Sequence, residues 1–538
     1  MNSHFIKKEF FDKKSIKGYK NGMQRDKNAD YEKGELLMTL TAEVILECGC
    51  FCISEHTINF SHEEVVGVTM DSRTAGKGIV FVAVQGDKAD GINFIANAIQ
   101  KGTTLVVCSM EGYIRYINLC NKNNKIHLFV HQCPRRFYAL LAARLYTIQP
   151  KVMAAVTGTN GKTSVVSFCR QIWHHAGYAG ASIGTIGADS SDFQLELQQT
   201  TPDAKILHEK IFTEFVAHRK VTHVALEASS HGLDQRRLDG LKVGIAALTN
   251  ITHDHLDYHK TKEHYIAAKM RLFSEVLEPK GVMIIPSDTP FFSLLVSLAR
   301  KKEIEITAFG KKYSNYKGLW FVGWKPHPTG KSTFVFELNG KEVTIHVPLI
   351  GSFQASNLLC ALGICLASGV DSSAAISALH NIQCVSGRME AAEITPSGAR
   401  IYIDYAHTPD ALEKALCALR PYTQSKLWLV FGAGGERDIC KRLLMGEIAA
   451  CYADNVIVTD DSPRGEDPAL IRQAIKQGCP HAIEIGDRYE AIKTAVKGLR
   501  KEDVLLIAGR GCEKKQIIGQ EVLDFSDLAV SREILSDI

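Results

Sequence analysis

The chain lacks any apolar run near the roughly 18 to 20 residues a membrane-crossing helix needs, and its start, MNSHFIKKEFFDKK, has no apolar core of a secretory signal. Export by that route and a membrane anchor are not expected. A strong charge of either sign is also missing: 63 Lys+Arg oppose 59 Asp+Glu, so the net charge of +4 gives no general field for nucleic acid or anionic lipid. Neither partner is expected. The 15 cysteines are odd in number and scattered, unlike a disulfide scaffold, which suits free thiols in a reducing cytoplasm. Cys48, Cys50 and Cys52 have no second ligand pair at zinc-finger spacing, and no repeat or low-complexity tract is evident.

What is present is 538 residues, 45% hydrophobic and 23% charged, enough for three or four soluble domains by length. Residues 1–36 are polar and Lys-rich without periodicity and read as a disordered extension; six acids among them disfavour a transit peptide. Residues 37–148 contain short apolar runs such as GIVFVAV and TTLVVC, a small α/β domain. From 149 to 385, VMAAVTG, VTHVALEAS, GIAALTNIT and GVMIIP are buried strands of a mainly parallel sheet, with an antiparallel hairpin turning at Asn339 and Gly340. Residues 386–538 form a third, Rossmann-like unit. Its runs IYIDYAH, LWLVFGAGG, VIVTDDSPR and VLLIAGRG end abruptly in Gly, Asp or other polar residues, and such strand ends should converge on one crevice.

The sharpest motif is TGTNGKTS, with Gly158, Thr159, Asn160, Gly161, Lys162, Thr163 and Ser164 between a strand and a helix. A Gly-rich turn there aims backbone N–H groups at phosphate; Lys162 adds a charge and Thr163 a hydroxyl for Mg²⁺. Val156 replaces the first Gly of a strict Walker A motif. LEASSHGLDQRR and NITHDHLDYH follow two further strands and supply Glu227 and His255 as hard ligands for a divalent cation beside a triphosphate. Singly, each would read as a cap.

TGTNGKTS, LEASSHGL, NITHDHLDYH, GSFQASN, GRME, IDYAHTPDAL, FGAGGERD, TDDSPR and AGRGCE stand in the order and spacing of the Mur ligases, which the chain resembles from about Met38 to its C-terminus. DSR at Asp71–Arg73 and TTP at Thr200–Pro202 are similar to the branch that adds the third residue to UDP-N-acetylmuramoyl-L-alanyl-D-glutamate. The resemblance implies an α/β, three-domain Mur ligase architecture: a small N-terminal domain, a central P-loop ATPase domain and a C-terminal amino-acid domain. It implies ATP-dependent amide ligation for peptidoglycan precursor synthesis, through an acyl phosphate on the D-glutamyl γ-carboxylate.

The same resemblance implies roles residue by residue. Asp71, Ser72 and Arg73 would hold UDP, while Thr200, Thr201, Ser229, Gln235 and Arg237 would contact the muramoyl-dipeptide. The P-loop, Asn250, Gln354, Asn357, Arg388, Asp404 and His407 would bind ATP, with Gln354 and Asn357 near adenine and Asp404 on the ribose. Asp404 could instead cap its strand end. Thr163, Glu227 and His255 would hold Mg²⁺ with Lys269, which the family carbamylates with CO₂; without the resemblance Lys269 reads as an exposed helix lysine. Arg437, Asp461, Ser462, Pro463, Arg464, Gly509 and Glu513 match the pocket for meso-diaminopimelate, whose extra carboxylate distinguishes it from L-lysine and suits Arg464. Ser462 and Cys512 stand where that pocket usually has Asn and His. A monomer is expected. Folylpolyglutamate synthetase and a P-loop regulatory or motor protein are the competing readings.

Overall fold

The computed structural model describes residues 40–52, 62–86, 89–119, 126–252, 254–313, 316–327 and 330–537; the extension expected over residues 1–36 lies outside them. Among the described residues, three sheets of five or more strands succeed one another along the chain. In the first, Gly67–Thr69, Ile79–Val82, Leu105–Cys108 and His127–Val130 lie side by side in parallel, with Phe51–Cys52 antiparallel at one edge.

The second sheet has eleven strands. Its site-bearing strands are β1 (Val152–Thr157), β2 (His223–Glu227) and β3 (Val243–Leu248), with β1 between the other two and all parallel. Side chains alternate along β1: Ala154 and Val156 enter the core under helix α1 (Lys162–His175), whereas Met153 and Ala155 enter the core on the other face. A strand buried on both sides must read as a continuous apolar run. The far edge is antiparallel, with Ser332–Leu338 and Lys341–Val347 joined through Asn339 and Gly340, both at positive φ, as an Asn-Gly hairpin turn requires. Helix α2 (Lys262–Arg271), capped by Thr261 Oγ1 on His264 N at 3.2 Å, and helix α3 (Phe353–Ala367) complete the elements around the P-loop.

The third sheet contains β4 (Arg400–Asp404), β5 (Leu427–Phe431), β6 (Asn455–Val458) and β7 (Val504–Ala508), parallel in the order β4-β7-β5-β6. Glu390–Ile394 and Ile483–Glu484 flank them. The four motif-bearing strand ends are therefore neighbours, as the strand-end pattern requires. Gly509 N donates to Asp404 O at 3.1 Å, linking two of those ends directly. No helix among the described residues is long and apolar enough to cross a membrane.

Candidate active site

The P-loop follows β1 and is built by backbone geometry that only glycine supplies cheaply. Gly158 (φ +151°) and Gly161 (φ +87°) lie in the positive-φ region, and a Cβ on either would collide with Thr249 Oγ1 or Asn357 Oδ1. The segment after β3 braces the loop: Asn160 N donates to Asn250 Oδ1 at 3.0 Å, Asn250 Nδ2 to Asn160 O at 3.0 Å, and Thr249 Oγ1 to Asn160 O at 2.6 Å. Thr159 Oγ1 pairs with Tyr265 OH from α2 at 2.8 Å. Lys162 Nζ, at the start of α1, donates to Gly158 O and Thr159 O, both at 2.8 Å. Burial pushes its ammonium below the usual lysine range, so an anion placed beside it would relieve a desolvated charge.

Glu227, the last residue of β2, is fully buried. Its Oε1 accepts from Thr185 N at 2.8 Å and its Oε2 from Thr185 Oγ1 at 3.2 Å. His255 sits at φ +53° with Nε2 3.3 Å from Asp254 Oδ2. Burial lowers the His255 imidazole to about 3, leaving it a neutral ring with a lone pair. Lys269 is 1% exposed and its Nζ donates to Gly158 O at 2.7 Å, so the exposed-helix reading fails. The reason is register. Tyr265, Ala268 and Lys269 share the buried face of α2, and Tyr265 followed four residues later by the lysine was the available signal. Burial, reinforced by Lys162, drives the Lys269 ammonium well below its ordinary range.

Residues at and beside the strands of the third sheet close this cleft. Arg388 Nη2 donates to Thr163 Oγ1 at 3.1 Å, and its guanidinium lies 4.1 Å over the Tyr405 ring. Among the described residues its Nη1 is buried without an acceptor. Asp404 accepts from Met389 N at 2.7 Å and Ala406 N at 2.8 Å, as a strand-end cap does, while burial raises its carboxyl to about 6. His407 Nδ1 lies 2.9 Å from Tyr405 O, and burial lowers its ring to about 4. Asn160 Nδ2 reaches Asp410 Oδ2 at 3.2 Å. The cleft so enclosed holds about 450 Å³ and is lined by Thr159 to Ser164, Glu227, Ser229, Asn250, His255, Asn357, Arg388, Asp404 and His407.

Thr185, Thr200, His255 and Tyr405 also line a second, larger cleft of about 1100 Å³, whose far wall carries Arg437, Ser462, Arg464, Cys512 and Glu513. Arg464 Nη1 donates to Gly435 O at 2.9 Å and Ser462 O at 3.2 Å; no described carboxylate lies within 4 Å of it. Arg437 Nη1 is 3.8 Å from Asp257 Oδ2 of the central region. Gln235 and Arg237 line a third cleft of about 500 Å³ with Met70, Arg135 and Tyr138.

Three family models match in succession: the Mur ligase family catalytic domain over 64–146, the Mur ligase middle domain over 156–365, and the Mur ligase glutamate ligase domain over 387–511. A relative from Zymomonas mobilis, named UDP-N-acetylmuramoyl-L-alanyl-D-glutamate--2,6-diaminopimelate ligase, is 44% identical over 87% of this chain and 94% of its own. The chain is a Mur ligase. A relative of the same name from Rhizobium meliloti is 44% identical over 88% of this chain and 95% of its own. A solved structure titled for that ligase aligns at TM-score 0.64 with 29% identity, covering 93% of this chain and 99% of the other. Thermotoga maritima MurF in complex with ADP aligns at TM-score 0.57 with 17% identity, over 87% of this chain and 97% of the other, and shows the shared fold.

Within this Mur ligase some expected contacts fall elsewhere. Gln354 is 1% exposed and sits behind the ATP cleft, its Oε1 accepting from Asn357 Nδ2 at 2.9 Å; Phe353 and Ser356 line the cleft instead. Thr201 is also fully buried, donating from Oγ1 to Glu227 O at 2.7 Å and accepting from Ser229 N at 2.9 Å, so its side chain organises the β2 end rather than facing a ligand. Both follow from polar side chains finding partners close to the backbone they serve. Asp71 and Arg73 pair with each other at 2.7 Å on an exposed turn, and Ser72 is buried. Asp461, Pro463 and Gly509 lie behind the large cleft, where a Cβ on Gly509 would come within 2.9 Å of Asp461 Oδ2. Sequence reasoning missed Thr185, Tyr265, Asp410 and Arg510, whose partners Glu227, Thr159, Asn160 and Ser462 lie 42 to 250 residues away along the chain, and Asp254, which pairs with the adjacent His255.

Proposed function

We propose that this Mur ligase joins meso-diaminopimelate to the D-glutamyl γ-carboxylate of UDP-N-acetylmuramoyl-L-alanyl-D-glutamate, using ATP, in the cytoplasm. One observation carries the reading: the Arg464 guanidinium faces a cleft that is continuous, through Thr185, Thr200 and His255, with the P-loop cleft, and no described carboxylate lies within 4 Å of it. A planar fork held by two carbonyls is suited to a second carboxylate on the incoming amino acid, which L-lysine lacks. The names of the relatives and of the aligned structure agree with that chemistry.

Backbone N–H groups of the P-loop and Lys162 would grip the ATP phosphates, with Arg388 adding charge from the third sheet. Asp404 would accept from the ribose hydroxyls with lone pairs left over from its two backbone bonds, and Asn357 with Phe353 would border the adenine. The donor set fits Mg²⁺: Thr163 offers a hydroxyl, Glu227 a buried carboxylate and His255 a neutral imidazole. Lys269 would join them as a carbamate made from CO₂, and its burial supports this by favouring the neutral amine that carbamylation consumes. Bound Mg²⁺ would neutralise phosphate charge as it moves. The γ-phosphoryl passes to the substrate carboxylate, and the amino acid's amine, delivered from the Arg464 side, displaces phosphate from the acyl phosphate. The protein's share is placement and charge, without a protein nucleophile. Arg237, which donates to Thr201 O at 2.6 Å and Gln235 Oε1 at 2.6 Å, would orient the muramoyl-dipeptide, and the Asp71–Arg73 turn the uridine nucleotide.

The test is phosphate release by the purified chain with ATP, Mg²⁺ and the nucleotide dipeptide, adding meso-diaminopimelate or L-lysine. Release with diaminopimelate alone is expected. Release with lysine alone would refute the reading of Arg464, and silence with both would refute the ligase assignment.

A further inference from the structure

Arg510 lies directly beneath the amino-acid pocket and is fully buried, so no molecule in the cleft can touch it. Its Nη1 donates to Ser462 Oγ at 3.0 Å, and its Nη2 to Lys515 O at 2.8 Å and Phe525 O at 3.3 Å. Those two carbonyls stand together at the open end of a hairpin formed by Lys515–Ile518 and Glu521–Asp524. The hairpin in turn holds the pocket's recognition loop. Ile517 N donates to Ser462 Oγ at 3.3 Å, Arg464 N to Ile517 O at 3.1 Å, and Gly519 N to Arg464 O at 2.7 Å. Arg464 needs that support, because at φ +53° it occupies a backbone region disfavoured for a residue with a side chain.

Arg510 Nη1 is also 3.9 Å from Asp461 Oδ1 and 3.9 Å from Glu513 Oε2. Glu513, whose Oε1 accepts from Tyr405 OH at 3.3 Å, faces the pocket. Burial and the nearby Asp461 raise the Glu513 carboxyl, and Arg510 opposes them. One planar, permanently charged fork thereby serves the carboxylate-reading loop and the anionic wall together, a task a point charge on a flexible stem does less well.

We infer that Arg510 is a positioning residue for amino-acid selectivity: it sets the spacing between the Arg464 guanidinium and the Glu513 carboxylate, so that the pocket favours a substrate whose far end carries both an ammonium and a carboxylate. This rests on the ligase reading above and adds a residue that never contacts the substrate.

The experiment is steady-state kinetics of the full chain and of Arg510→Met, Arg510→Lys, Ser462→Ala and the Ser462→Ala/Arg510→Met pair, varying diaminopimelate, ATP and the nucleotide dipeptide in turn. Arg510→Met should raise KM for diaminopimelate about thirtyfold, because removing one partner leaves buried groups unpaired, with kcat and the other two KM values within about threefold. Arg510→Lys, which keeps charge but not the fork, should raise it about fivefold. Ser462→Ala should cost about threefold in the Arg510 background and nothing beside Arg510→Met, the non-additivity expected of two groups acting through one contact. Should Arg510→Met fail to fold, Arg510→Lys and Ser462→Ala carry the test. A parental KM for diaminopimelate in folded Arg510→Lys and Ser462→Ala, or a parallel rise of all three KM values, would overturn the inference alone. A parent chain that never ligates diaminopimelate would overturn the ligase reading and the inference with it.

Discussion

The ATP cleft and the amino-acid pocket are both built at the ends of parallel strands, yet they hold their functional groups differently. In the ATP cleft, one continuous segment, Thr157–Ser164, wraps its own backbone, and Lys162 is bonded to carbonyls three and four residues before it. In the pocket, the ends of β5, β6 and β7 bring Gly435, Ser462, Arg464 and Glu513 from nearly 80 residues of chain, and buried Arg510 ties them to a hairpin. A site made of local backbone tolerates few substitutions anywhere in its motif. A site assembled from distant loops can change a lining residue, such as Ser462, while the hairpin behind it persists.

That contrast can be broken, and the largest effect should come from the local site. Lys162→Ala is expected to lower kcat/KM for ligation about 10³-fold, as loss of a preorganised charge at a reacting phosphate does, without loss of folded structure; a parental rate would remove Lys162 from the chemistry. Next, Lys269→Arg should cost about 10²-fold, since a guanidinium cannot become a carbamate ligand; mass measurement of the intact parent in bicarbonate, read for a 44 Da adduct, checks the premise. Arg464→Met should act on one substrate only, raising KM for diaminopimelate about thirtyfold and leaving KM for ATP within twofold. An equal rise in both would show that the two sites are one mechanical unit.

The smallest effect concerns pH. With the Asp404 carboxyl raised to about 6 by burial, its protonated form grows as pH falls through 6 and one acceptor for the ribose is lost. KM for ATP should therefore rise below pH 6, and Asp404→Asn should raise KM about threefold at pH 7.5 and flatten that rise. The stability sign is opposite: a carboxyl whose folded pKa exceeds its unfolded 3.8 binds its proton more tightly when folded, so this group's contribution favours folding at low pH and weakens as pH climbs through 4 to 6. Unfolding of Asp404→Asn followed between pH 4.5 and 7.5 should lose that slope.

Legibility in the sequence followed the same divide. The P-loop, the four strand ends of the third sheet and the Asn339–Gly340 turn could be read because each is a local pattern: glycine where positive φ is needed, apolar runs where both faces are covered, polar residues where a strand stops. Lys269 could not be read correctly from composition alone, since an isolated lysine says nothing about which helix face is buried. Thr201 and Gln354 were expected at ligands because the family resemblance carries those positions over; inside the protein their side chains satisfy backbone or side-chain partners.

By itself the sequence determined the α/β alternation, the phosphate-binding turn and the family, all of which depend on residue type at short spacing. Only the tertiary structure decided which charges are buried and what they face: Lys269 against Gly158, Arg388 against Thr163 across 225 residues, and Arg510 beneath Ser462. Desolvation and long-range pairing belong to the packed chain, because the environment that sets a side chain's charge and orientation is supplied by segments remote from it in sequence.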